Sequence, residues 1–170
     1  MKKRTMRWAS AGLLLSLFSA SLGFVPPGNG NVSAAASKSM TDVYTQIQNE
    51  RAAKVVALVN KVRAEAGLEP LTVHTNLSKM AKDKAIDMHK NKYFSHTSPS
   101  YGSPFDMMDA YNITYRYAGE NIAKGQKSAE EVVEDWMNSP GHKANIMNAN
   151  YTLIGVGYYN GYWVQEFIGK

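Results

Sequence analysis

The chain has 170 residues, with 19 Lys and Arg against 14 Asp and Glu, and no cysteine. The lack of cysteine excludes a disulfide scaffold, a thiolate metal site, a cysteine nucleophile and a lipid anchor on an amino-terminal cysteine. The basic balance excludes little, because it is concentrated at the start of the chain.

Lys2, Lys3, Arg4 and Arg7 precede an apolar run from Ala9 to Val25, and small residues ending in Ala34-Ala35-Ala36 follow. This order is that of a secretory signal peptide over residues 1–36, with cleavage after Ala36 or, as a second candidate, after Ala34. The apolar run of about 17 residues is interrupted by Ser16, Ser19, Ser21 and Gly23, which makes it short for a membrane span. Beyond residue 36 the balance is 15 basic to 14 acidic side chains, a net of +1, so nothing points to a nucleic-acid partner. No stable membrane span is expected in the mature chain. Its length of about 130 residues supports one hydrophobic core.

Residues 37–50 are polar and without period, as in a linker or frayed segment, and a domain over 51–170 follows. Ala52, Val55, Val59, Val62 and Ala66 recur at three- and four-residue steps, predicting a helix over 50–66 that Gly67 and Pro70 end. A second helix is expected from Thr75 or Asn76 to about Asn91. Its buried face is Leu77, Met80, Ala81, Ala85 and Met88, with Lys79, Lys82, Asp83, Lys84 and Asp87 on the other side. His74 and His89, which flank it, read as solvated or locally hydrogen-bonded. Ser103-Pro104 and Asp106 open a short third helix. Tyr111 to Tyr117 is expected to be extended, and Gly119-Glu120-Asn121 to be a tight turn. Ser128 and Glu131 form a capping box ahead of a helix carrying Val132, Val133, Trp136 and Met137 inward. Pro140 and Gly141 break it, and one more turn follows with Ile146 as anchor. Leu153–Tyr159 and Tyr162–Ile168 are strands joined by Asn160-Gly161, a type I′ hairpin pair. Gly155 and Gly157 leave one face of the first strand open to a close neighbour. The class is α+β, in layers.

Three polar motifs are not explained by core packing. His96 stands between the aromatic pair Tyr93-Phe94 and a Ser-Pro turn. Glu120 lies in Gly-Glu-Asn, and His142 in Ser139-Pro140-Gly141-His142. If they converge, two imidazoles and a carboxylate could hold zinc or another divalent cation with an open position, or perform acid–base work. They could equally be residues that only lock their own loops. Ser98 and Ser139 lie near these histidines in sequence, but no G-x-S-x-G elbow is present. No glycine-rich phosphate loop opens a helix.

The segments FSHTSPSYGSPFDMM at 94–108, AGENIA at 118–123, WMNSPGHKANIM at 136–147, IGVGYY at 154–159 and YWVQEFIG at 162–169 resemble the CAP superfamily, also called SCP-like. The likeness is to its bacterial secreted branch, and it covers nearly all of 53–169. The resemblance implies an α-β-α sandwich, with a short antiparallel sheet between helical layers and a cleft of two His and two acidic residues. His96 matches the first family His, and Glu120 the Glu of the GEN motif. The family's second Glu position is Ser139 here. Its second His, in a GHYTQ motif, has no counterpart in Tyr162–Gln165, which leaves His142 as the bacterial candidate. The implied function is extracellular binding of a small molecule, lipid, peptide or glycan at His96, Glu120, Asn121, His142, Gln165 and Trp163, with Tyr93, Phe94 and Trp136 as further walls. The alternatives are a metal-assisted hydrolase of cell-wall or peptide substrates, with Glu120 as base, and a structural envelope or spore-associated protein.

Overall fold

The structure, a computed structural model, describes the backbone of residues 31–170 and side chains from residue 39 onward. The basic start and apolar run of the expected signal segment lie outside the described residues. None of the described helices is long and apolar enough to cross a membrane.

The first helix, α1, spans Asn31–Glu65. The expected linker at 37–50 is therefore helical. Met40, Val43, Tyr44 and Ile47 stand there at the three- and four-residue steps of a helix, but as an exposed stripe amid polar residues. From Ala52 on, α1 packs Val55 and Val59 into the core. Gly67, at φ 73°, turns the chain out of the helix. A two-residue strand, β1 (Thr72–Val73), leads into α2 (Thr75–Lys90). His74 is the N-cap, accepting from the Leu77 amide at Nδ1, in place of the expected Thr75 or Asn76. Next come α3 (Pro104–Ala110), β2 (Tyr117–Lys124), α4 (Ala129–Asn138), α5 (Pro140–Ile146), β3 (Leu153–Tyr159) and β4 (Tyr162–Gly169). Ser103 and Asp106 form the capping box of α3.

The strands form one sheet in the order β1-β3-β4-β2, with β1 parallel to β3 and the other pairs antiparallel. Side chains alternate across it. Val164 and Ile168 of β4 join Ala81, Ala85, Leu77 and Met80 of α2 on one face. Trp163 and Phe167 join α1 and α4 on the other. The result is an α-β-α sandwich. The close neighbour of Gly155 and Gly157 is the backbone of α2 itself: a Cβ at Gly157 would sit 2.3 Å from the Ala81 carbonyl carbon.

Two expectations fail along β2. Residues 111–116 form no strand; Tyr111 caps α3, and Asn112 adopts φ 53°. The Gly-Glu-Asn motif is not a turn, since Gly119, Glu120 and Asn121 pair with Phe167, Glu166 and Gln165 of β4. Strand preference depends on the surface a residue is packed against more than on its own side chain. Here a buried neighbour strand recruits small and polar residues.

Candidate functional site

Helix α2 lays the foundation. Lys84 and Asp87, expected on its solvent side, are 1% and 7% exposed. Lys84 falls one turn after Met80 and Ala81, and so lies on the same buried stripe. Its ammonium donates to the His96 carbonyl at 2.5 Å. Asp87 organises the loop that follows. It accepts from Asn91, Ser98 and Ser100 at 2.6, 2.7 and 2.9 Å and from the Tyr93 hydroxyl. Burial alone would raise the Asp87 pKa, but these four donors hold it below the usual carboxylate range. Ser98 Oγ also accepts from the Ser100 and Tyr101 amides. It is a loop fastener and is not available as a nucleophile for His96.

The loop presents His96 to the edge strand β2. Its Nδ1 lies 2.6 Å from Oε1 of Glu120, with side-chain exposures of 53% and 3% respectively. The Glu120 hydrogen bond raises the His96 pKa, against the opposing effects of burial and of Lys84. On the opposite face of β2, Asn121 is fully buried. It donates to the His142 carbonyl at 3.1 Å and to Gln165 Oε1 at 3.0 Å, and accepts from Asn145 at 2.8 Å. Asn145 also donates to the Glu120 carbonyl. These bonds fasten α5, and with it His142, to the sheet edge. Burial lowers the His142 pKa, and the nearby His96 lowers it further.

The sheet thus brings together His96 and Glu120 by direct contact, and His142 within electrostatic reach of His96. The three do not form a metal group: among the described residues no three His, Asp or Glu side chains are placed to share one ion. Glu120 occupies the Nδ1 side of His96, which leaves a cation only the outer nitrogen.

The other named residues do not line a cleft. Asn121 and Gln165 are 0% exposed and bond to each other, because β2 and β4 pair them on the face turned toward α5. Trp163 and Trp136 are core side chains, donating to the Gln126 and Ile122 carbonyls. Tyr93 is committed to Asp87. Of the four expected walls only Phe94 is substantially exposed, at 49%.

Sequence reasoning missed Lys84, Asp87 and Glu166, a glutamate on β4 that is 0% exposed. A charged residue on the apolar stripe of α2 and an acid inside an apolar strand were the available signals.

The family model "Cysteine-rich secretory protein family", CAP, matches residues 56–167. A Bacillus subtilis protein, YkwD, is 57% identical over 119 residues, covering 69% of this chain and 46% of its own length. A Bacillus anthracis extracellular protein containing an SCP domain superposes with a TM-score of 0.73 at 33% identity, over 74% of this chain and 42% of its own. An outer surface protein of Borrelia burgdorferi superposes at 0.63 with 25% identity, over 68% of this chain and 89% of its own. This chain therefore spans less than half the length of the two Bacillus proteins.

Proposed function

Because the chain belongs to the CAP family, we propose that it is an extracellular binding protein whose ligand sits between His96 and His142 at the edge of β2. The observation that carries this is the His96–Glu120 contact of 2.6 Å on a half-exposed imidazole. A histidine with one ring nitrogen bonded to a buried carboxylate is fixed in orientation and favours its charged form. Its outer N–H is then a charge-assisted donor for a ligand. His142, held toward its neutral form, offers one donor and one acceptor. The pair suits a polar ligand carrying an anionic or carbonyl oxygen beside a hydroxyl or amide, such as a fragment of cell-wall glycopeptide. The likeness to extracellular and outer surface proteins supports that location.

The test is an NMR titration of the His ring resonances with soluble peptidoglycan fragments, and separately with zinc. The fragments should shift both rings, and a His96→Gln, His142→Gln double variant should bind at least tenfold more weakly. Shifts confined to other surfaces, or unchanged affinity in the double variant, would overturn the assignment. Saturable zinc binding lost in the same variant would replace the polar ligand with a metal.

A further inference from the structure

Glu166 lies in none of the polar loop motifs, yet it is directly opposite Glu120 in the β2–β4 register. Both side chains stand on the α2 face of the sheet, and the residues are 0% and 8% exposed. Oε2 of Glu120 and both carboxyl oxygens of Glu166 are buried without a hydrogen-bond partner. The surrounding groups do not supply one. From α2, Lys84 donates to the His96 carbonyl and Asp87 is an acceptor already surrounded by donors. From the loop, Tyr93 and Ser98 donate to Asp87, and His96 meets Oε1 of Glu120. His142, from α5, reaches this group only through its field on His96.

Two buried carboxylates that face each other without a donor are unfavourable twice over, by desolvation and by like charge. One proton between them turns that opposition into an O–H···O⁻ hydrogen bond, among the strongest a protein makes. We propose that Glu166 is an unassigned positioning residue of this cleft: it carries the proton, donates it to Glu120, and so fixes the Glu120 carboxylate against His96. The charge of the group is then balanced, with Lys84 and His96 positive, Glu120 and Asp87 negative and Glu166 neutral. Burial, followed by the charge of Glu120, pushes Glu166 in the same direction, well above the ordinary glutamate range, with Lys84 opposing.

This inference rests on the cleft assignment for its functional meaning, but its test needs no ligand. Protein dialysed against EDTA is compared at neutral pH by infrared difference spectroscopy with Glu166→Gln. The native protein should show the C=O stretch of a protonated carboxylic acid, and the variant should lack it. NMR titration of His96 gives the second readout. Glu166→Gln keeps a donor toward Glu120 and should leave the His96 titration close to native. Glu166→Leu removes the donor and should shift the His96 titration by about one pKa unit, a tenfold change in proton affinity. A native spectrum without the acid band overturns the proposal, as does an unchanged His96 titration in a folded Glu166→Leu protein. If Glu166→Leu does not fold, the infrared comparison decides alone. An intact acid band with no ligand response would count against the cleft assignment and leave the role of Glu166 standing.

Discussion

Asn121 accepts from Asn145 at 2.8 Å and gives one amide proton to the His142 carbonyl at 3.1 Å, so one buried side chain joins α5 to the edge of the sheet. Replacing it with Leu removes both bonds and strands the Gln165 carboxamide opposite. The expected cost is about 2–4 kcal/mol, from several buried polar groups left unmatched. The His142 ring should lose its fixed position while the His96–Glu120 contact persists. Chemical denaturation and ring relaxation check this; a His142 ring as ordered as in the native protein would refute the fastening role.

The His96 bond has a signed pH dependence. Its folded pKa is raised above 6.5, so its contribution is complete below that value and is lost as pH rises through the folded pKa. The stability difference between native protein and His96→Ala should therefore shrink on going from pH 6 to pH 9. Denaturation at the two pH values measures it, and a difference that grows with pH would contradict the assignment.

Glu166 should act in the same direction from a lower starting pH. Its folded pKa is raised well above 4.5, so the native state holds a proton that the unfolded chain releases. Stability from this group is complete below about 4.5 and falls as pH rises from there toward the folded pKa. Glu166→Gln has no such slope. Native and variant stabilities compared at pH 5 and pH 8 should diverge in favour of the variant; parallel curves would be the contrary result.

Gly157 allows α2 to lie directly on β3. The added Cβ of Gly157→Ala would approach the Lys82 amide nitrogen to 2.3 Å, and backbone on both sides leaves nothing flexible to move. A loss of at least about 2–3 kcal/mol is expected from such overpacking, whereas Gly141→Ala, where nothing lies within 4 Å, should be nearly silent. Melting temperatures of the two variants make the comparison.

Arg63, 1% exposed, donates to the carbonyls of Glu69, Ile146 and Asn148 at 3.0, 2.8 and 2.9 Å. It ties the end of α1 to the segment that follows α5. Arg63→Met keeps much of the volume but leaves three carbonyls without their charged donor, and about 3–5 kcal/mol should be lost. Urea unfolding tests the figure; a cost under 1 kcal/mol would show that other donors take over.

What was legible in the chain followed periodicity and turn chemistry. The stripe Leu77-Met80-Ala81-Ala85-Met88 was buried as expected, and Asn160-Gly161 took positive φ at both positions. Lys84 runs against its charge: its spacing from Met80 and Ala81 fixes it on the buried stripe. Glu166 was hidden for a different reason. Every residue of β4 is buried, so alternation along it could not separate one face from the other. Strand β2 lies later than expected because Ala118 to Asn121 are poor strand formers alone and owe their extended form to pairing with β4. The proximity of His96 to Glu120 depends on that same pairing, and so could be expected from motif likeness but not from spacing.

Strand β2 is the last in the sheet, and it has a helical layer on either side. His96 arrives from the layer of α2 and His142 from the layer of α5, so the two imidazoles come within electrostatic reach of each other at the rim. A ligand gripping both would act as a clasp between layers that are otherwise connected through the sheet. Its binding should therefore be felt as resistance to prising the sandwich open, a bracing that a chain without cysteine cannot obtain from a disulfide.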